Sequence, residues 1–456
     1  MTAPKKTLDD TLSLLYGHSD LPLPGSGFHW DDTIAEPCTP ILDDPLQAVH
    51  HSLRHPLGIP NRLRDDIQNS RARDVAIIVN DITRPTPYRH MLPPLLEEIR
   101  AAGLPDSAVR FVVATGVHRG NTFAEIQEMF GRDTAARYTF LNHDCDRESD
   151  LVYLGTLRHG SELWVNRAVT DADYVIATGV IAPHYFAGFS GGRKAVLPGV
   201  SGRATITTNH SHLTDKDAAV GNLNGNPVHQ EMMDAARKVG VNFILNVVPD
   251  STGKNIVGVV AGDLEKAWLA GVESCARTCF APLASEYDVV IASAGGFPKD
   301  INLYQAQKAV ENAARAVRPG GTIVLAAECP EGLGDSIFEQ WMFSASGPAD
   351  VMARFQWEFV VGGHKAYVLA RVLAEKDVII VSAMPTELVR RVFMIPAANL
   401  GEAARLVSQK HGDNYRALIM PHAGLVAPNI QPVSESSILA SREVGAAKEA
   451  KDAKEA

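Results

Sequence analysis

The chain has 456 residues, five of them cysteine, with a formal net charge of −10 and a pI near 5.9. An acidic balance with scattered Lys and Arg excludes the basic stripe of a nucleic-acid-binding protein, and no apolar run reaches the ~18 residues that a membrane span requires. The start, "MTAPKKTLDDTLSLLYG", places Asp9 and Asp10 where a secretion signal carries its apolar centre, so a soluble, cytoplasmic protein is expected.

Single hydrophobic cores stop growing at roughly 250–300 residues, so two domains are predicted. A Pro-rich lead-in, "SDLPLPGSGFHWDDTIAEPCTPILDDP", precedes the first clear strand. The runs "DVAIIVND", "VRFVVATG", "DYVIATG", "NFILNVVPD", "NIVGVVAGD", "YDVVIASAGG", "GTIVLAAE", "DVIIVSA" and "RALIMPHAG" each read as a strand buried on both faces. Helical stretches such as "MLPPLLEEIRAAG", "FAEIQEMFG" and "PVHQEMMDAARKVG" lie between many of them. This alternation predicts an α/β fold with largely parallel sheets and an active-site cleft between two domains. The strand pattern restarts around "CFAPLASEYD", which sets an N-terminal domain at 1–275 and a C-terminal domain at 276–430. The charged end, 431–456, has little apolar surface to bury and reads as a frayed or disordered tail. Cys38, Cys145, Cys275, Cys279 and Cys329 form no CxxC pair, so neither a disulfide framework nor a zinc knuckle is indicated. Cys275 and Cys279, spaced for one helix face, read as buried helix residues more than as a metal half-site.

In open parallel sheets, ligands bind beyond the carboxyl ends of the strands. "DVAIIVND" runs into Asp81, Thr83 and Arg84; "VRFVVATG" runs into His118 and Arg119; "DYVIATG" runs into His184. One such residue alone reads as a cap or core position, whereas the set predicts an active site at one sheet edge. Next, "GFSGGRKA" has the glycine spacing of an ATP-binding loop, but Ala195 stands where a magnesium-binding hydroxyl belongs. The N–H groups of Ser190, Gly191 and Gly192 are predicted to form a phosphate nest. Lys194 would then serve as a charge or as an amine nucleophile beside Arg193. A plain glycine turn with Arg and Lys in solvent is the competing reading. "ATITTNHSHL" offers His210 and His212, which share a side if the segment is extended. No HExxH and no second His/Asp/Glu cluster accompanies them, so a metal there would take most of its ligands from a cofactor. Gln305 and Lys308 in "NLYQAQKAV" sit three apart on one helix face near its start, with Lys299 on the loop before, and are predicted to meet an anion. Lys308 reads equally as a solvated helix residue.

Taken in order, "DITRP", "TGVHR", "PHYFAGFSGGRK", "TTNHSHL" and "YQAQKA" resemble the nickel-pincer lactate racemase family, over residues 60–425. The resemblance implies nickel held by a pyridinium-3-thioamide-5-thiocarboxylic acid mononucleotide, the nickel-pincer nucleotide. Lys194 would tether this cofactor and His210 would be the remaining nickel ligand. Asp81, Thr83 and Arg84, with Ser190, Gly191 and Gly192, are the candidates for holding it. The implied function is a racemase or epimerase of a small-molecule 2-hydroxy acid, acting by hydride transfer from Cα to the pyridinium ring and back. His118 and His184 would be the acid/base pair, one for each hand of substrate. Arg84, Gln305 and Lys308 would bind the substrate, and cofactor-synthesis and nickel-insertion enzymes would be transient partners. A tryptophan from the second domain encloses the substrate in this family. Trp357 is a candidate, with His364 and Lys365 where that wall would lie, and a more polar wall implies an acid larger or more polar than lactate. The alternative is a mononucleotide- or phosphate-binding protein, or a cofactor carrier, without racemase activity. An NAD-dependent dehydrogenase is disfavoured, because "GSG" at 25–27 has no strand before it.

Overall fold

The computed structural model describes residues 13–23, 28, 30–34, 39–250, 253–355, 357, 358, 360 and 362–429. They form two compact units, one covering 38–278 and the other 279 onward together with the residues before 38.

The first unit is built on a six-stranded sheet in the spatial order Ile256–Gly262, Phe243–Pro249, Tyr174–Val180, Val75–Asn80, Val109–Ala114, Thr139–Asn142. Every neighbouring pair is parallel except Phe243–Pro249 with Ile256–Gly262. The central strand, "VAIIVN", has its first five residues buried, as a β-branched run covered on both faces requires. The helix Tyr88–Ala101 covers it with Met91, Leu92, Leu95, Leu96 and Ile99. Each such side chain taken from water contributes roughly 1.5–3 kcal/mol. Phe111 stacks on Phe140 at 4.6 Å, and Phe130 packs against both. A capping box between Thr122 and Glu125 starts the helix Phe123–Phe130. From Val75–Asn80 the chain winds outward through Val109–Ala114 to Thr139–Asn142, then returns to the other side at Tyr174–Val180. The crevice between the two central strands is therefore a topological switch point, where open α/β sheets bind ligands.

The second unit repeats the winding. Its sheet runs Ile395–Ala397, Asp377–Val381, Val317–Ala326, Tyr287–Ser293, Ala417–Met420, Asp32–Thr33, parallel throughout. The segment 13–34 thus belongs to this unit, which corrects its placement by chain order in a domain 1–275. The cause is burial, since Leu14, Leu23 and Phe28 lie in the same core as Val289, Ile291 and Val324. The helix Lys266–Cys279 runs through 275, and the units divide at its end. Cys145, Cys275, Cys279 and Cys329 are buried thiols. Cys38, the "GSG" at 25–27 and the charged end at 431–456 lie outside the described residues. Among those residues no helix is long and apolar enough to cross a membrane.

Candidate active site

The strand Val75–Asn80 ends at Asp81, whose side chain is only 3% exposed. Its Oδ1 accepts the Thr83 N–H at 3.1 Å and the Thr83 hydroxyl at 2.6 Å, closing a tight turn. Its Oδ2 stands 2.7 Å from His118 Nδ1. An ionised carboxylate only accepts, so Nδ1 carries the hydrogen and Nε2 keeps a lone pair. Burial pushes the Asp81 carboxyl up, but the bonds from His118 and Thr83 outweigh it and hold the group below the usual carboxylate range. Asp81 and Thr83 were expected to bind cofactor; their polar atoms instead turn toward one another and toward His118. Arg84 is exposed, leaning on the Thr83 carbonyl and hydroxyl at 3.3 and 3.4 Å. Arg119 is not available to an anion as a free charge, because it forks onto Glu125 at 2.9 and 2.5 Å. A cavity of about 390 Å³ lies beside His118, lined also by Asn142, Asp144, Arg147 and Arg203.

The glycine loop is closed. Ser190 N–H bonds to Ala182 O at 2.8 Å, and Gly192 N–H bonds to Asn246 Oδ1 at 3.1 Å. The Ser190 hydroxyl donates to Val180 O and accepts from Ala182 N, both at 2.8 Å. This corrects the predicted nest at Ser190, Gly191 and Gly192, since two of its three donors serve the fold. The glycines answer to space and backbone instead. At Gly192, with φ of 49°, a Cβ would lie 2.8 Å from Trp268, and at Gly191, with φ of 76°, 2.6 Å from Ile181.

Arg193 is fully buried, contrary to the picture of a solvent-facing side chain. It donates to the carbonyls of Ala187 and Phe189 at 2.8 Å, and to those of Ser190 and Gly191 at 3.4 Å. Its Nε donates to His229 Nδ1 at 3.1 Å, and its guanidinium stacks 3.8 Å from the Trp268 ring centre.

The next residue, Lys194, brings its Nζ to 3.0 Å from His184 Nε2. His184 Nδ1 receives the Ala187 N–H at 3.3 Å, so the neutral ring carries its hydrogen on Nε2. A hydrogen on Nε2 needs an acceptor at Nζ, and only an uncharged amine offers one. Burial, followed by the charges of Arg193 and Arg84, pushes the Lys194 ammonium well below the ordinary lysine range, in agreement with that geometry. The Phe186 ring meets His184 edge-on at 4.6 Å and His210 at 5.0 Å, with Lys194 Nζ 5.7 Å away. The amine and both imidazoles thus gather about one aromatic ring.

His210 lies on the helix Arg203–Ser211, not on an extended segment. Helical geometry sends residues two apart to different faces, so His212 is not its companion. His212 lies 3.6 Å from the fully buried Glu231, which accepts the Ser161 hydroxyl at 2.6 Å and Asn209 Nδ2 at 3.1 Å. Among the described residues no three His, Cys, Asp or Glu come together as a metal site.

In the second unit, Gln305 and Lys308 are both exposed on the helix Leu303–Ala314, which Asn302 caps by accepting Gln305 N–H at 3.0 Å. Between them Gln307 is buried and donates to Lys365 O at 2.8 Å. Lys365 Nζ sits 5.3 Å from the Tyr304 ring centre. Burial, then Lys365, pushes His364 down to about 3, so it is uncharged at neutral pH, with Nδ1 accepting the Gly362 N–H at 3.1 Å. Trp357 is 90% exposed. Sequence reading did not find the roles of Arg193, His229, Trp268 and Glu231, because each depends on a neighbour remote in the chain.

Family models for the lactate racemase N-terminal domain and the lactate racemase C-terminal domain match residues 29–221 and 283–426. The lactate racemase of Thermoanaerobacterium thermosaccharolyticum is 38% identical over 380 residues, 82% of this chain and 88% of that protein. That of Lactiplantibacillus plantarum is 33% identical over 382 residues, 82% of this chain and 89% of its own. The structure resembles the lactate racemase apoprotein of T. thermosaccharolyticum with a TM-score of 0.84 at 35% identity, covering 91% of this chain and 99% of that one. A Thermotoga maritima protein shares the fold at a TM-score of 0.60 and 17% identity, over 87% of this chain and 100% of that one. With both domain models matched and two relatives above 30% identity along most of its length, the chain belongs to the lactate racemase family.

Proposed function

We propose that this enzyme racemises or epimerises a 2-hydroxy acid in the cytoplasm, using a nickel-pincer nucleotide tethered at Lys194. The carrying observation is the Lys194 amine 3.0 Å from His184 Nε2, with His210 at the same Phe186 ring. An uncharged amine fits a covalent tether. A lone histidine fits a metal whose other ligands arrive with a cofactor, so His210 would take the nickel. When bound, that cofactor supplies a hydride acceptor.

The residues of this chain then handle charge and protons. Arg84, the exposed guanidinium of the group, binds the substrate carboxylate through a fork of hydrogen bonds. Gln305 and Lys308 are proposed as substrate-binding residues of the second unit. His118 presents the Nε2 lone pair that Asp81 leaves it, and takes the hydroxyl proton of one enantiomer. His184 presents Nε2 from the opposite starting state, as a donor, and returns a proton for the other hand. The polar pair His364 and Lys365 supports an acid larger or more polar than lactate. The alternative of a phosphate-binding carrier loses its main support, because two N–H groups of the glycine loop are already bonded.

The test is co-production with cofactor-making and nickel-inserting enzymes, the transient partners of this reading, followed by intact mass, peptide mapping and nickel analysis. The expected result is added mass at Lys194 with bound nickel, and racemisation of a 2-hydroxy acid by chiral chromatography. Absence of added mass on a protein that racemises would overturn the tether, and fastest turnover on lactate would overturn the larger substrate.

A further inference from the structure

A buried guanidinium is expensive unless every donor is met, and charge partners usually do this. Arg193 meets its donors otherwise. Its partners are four carbonyls of the loop Ala187–Gly191 and the His229 imidazole, under the face of Trp268. Burial lowers its acidity range, yet a guanidinium does not deprotonate in proteins, so the charge stays. The loop it grips is the one that joins His184 to Lys194. The Ala187 backbone is the link, because the carbonyl on one side of its Cα accepts Arg193 Nη2 at 2.8 Å while the N–H on the other side donates to His184 Nδ1 at 3.3 Å.

We propose that Arg193 is a positioning residue for cofactor attachment: through the Ala187 backbone it fixes the tautomer of His184, whose Nε2–H is directed at the Lys194 amine and keeps it available as a nucleophile. The inference rests on the reading of Lys194 as the tether. Two effects of the guanidinium act together. Its fork orients the Ala187 N–H, and its positive charge, one residue from Lys194, opposes a second positive charge there. The charged and titratable groups about the amine include Arg193 on its own turn, Arg84 after the strand Val75–Asn80, His184 after the strand Tyr174–Val180, and, across the Phe186 ring, His210 on the helix Arg203–Ser211. Arg84 is exposed and screened by water; Arg193 is neither.

The test uses the full-length protein without cofactor. Competitive acetylation with acetic anhydride across pH, read by mass spectrometry of the Lys194 peptide, gives the midpoint at which the amine loses its proton. The exposed Lys216 serves as internal reference. In the wild type, the Lys194 midpoint is expected below that of Lys216. In Arg193→Gln it is expected to rise by about one pH unit or more, with a roughly tenfold fall in labelling rate near neutrality. Arg193→Lys keeps the charge without the fork, and its rise should be smaller. A wild-type midpoint equal to that of Lys216 overturns the proposal without any variant. So does Arg193→Gln with a native circular dichroism spectrum and an unchanged midpoint. Peptide mapping of loaded protein separates the two ideas. Added mass on another residue sinks the tether while the labelling result stands, and added mass on Lys194 with labelling indifferent to Arg193 sinks the positioning role alone.

Discussion

Asp81→Asn asks how much of the chemistry depends on the tautomer of His118. Asp81 gives one oxygen to both Thr83 donors and the other to His118 Nδ1 at 2.7 Å. An asparagine in the same place keeps its oxygen on the two Thr83 donors and turns its NH₂ toward His118. That ring must then accept at Nδ1 and carry its hydrogen on Nε2, where the substrate proton should go. The charge-assisted bond lost is worth about 1.5–3 kcal/mol toward the imidazolium. Added to the wrong tautomer, this removes most of the roughly 10²–10⁴ that a positioned base contributes. The same substitution in a Ser-His-Asp site leaves geometry intact and costs a factor of that order. The assay is racemisation of each enantiomer by the loaded enzyme, with nickel and intact mass measured on the same preparation. For a racemase the equilibrium constant is one, so kcat/KM should fall by at least about a hundredfold equally from both hands. A fall below about threefold, with cofactor content unchanged, would refute the reasoning.

The other expected outcomes follow from neighbouring contacts. His118→Ala and His184→Ala should abolish turnover and retain nickel by atomic absorption, while His210→Ala should lose nickel; loss of metal in all three would sink the assignments. Lys194→Met should raise the thermal midpoint of the cofactor-free protein. The folded lysine titrates below its unfolded value, so the unfolded chain binds the extra proton and the lysine costs stability below about pH 10.4. The gain should therefore shrink as pH approaches that value, and a gain independent of pH would count against it. Glu231 is held down to about 2, since its burial is outweighed by the bonds from Ser161 and Asn209 and by the nearby His212 imidazole. Its contribution is present above its ordinary value of 4.5 and is lost as pH falls toward 2. Glu231→Gln should cost about 3 kcal/mol in urea unfolding at neutral pH and little near pH 2; equal cost at both would be inconsistent with this account.

The fold was legible because strands covered on both faces must be continuous apolar runs, and "VAIIVN" or "YVIATGV" permits little else. His118 and His184 were legible for a related reason, since polar residues that end such runs have only the sheet edge to occupy. What lay beyond reach depended on partners distant in sequence. Nothing in "SGGRKA" says that Trp268 and His229 will cover the arginine, or that Ala182 and Asn246 will use the donors expected for a phosphate. The pairing of His210 with His212 failed on a choice of period, because the segment that could run extended is a helix. Burial of Leu14, Leu23 and Phe28 with a distant sheet overrode the expectation that nearby segments share a domain.

That last feature bears on how the protein is made. Asp31 accepts the Ala417 N–H across 386 residues, and Asp32–Thr33 completes the sheet beside Ala417–Met420. On the ribosome, Asp32–Thr33 has no edge to join until Ala417–Met420 has been translated. The unit from 38 to 278 is synthesised in between and closes its own sheet first. A nascent chain stopped before Val289 therefore carries Leu14, Leu23 and Phe28 without the strands that cover them, an apolar surface that stays open while the whole of the unit 38–278 is being made.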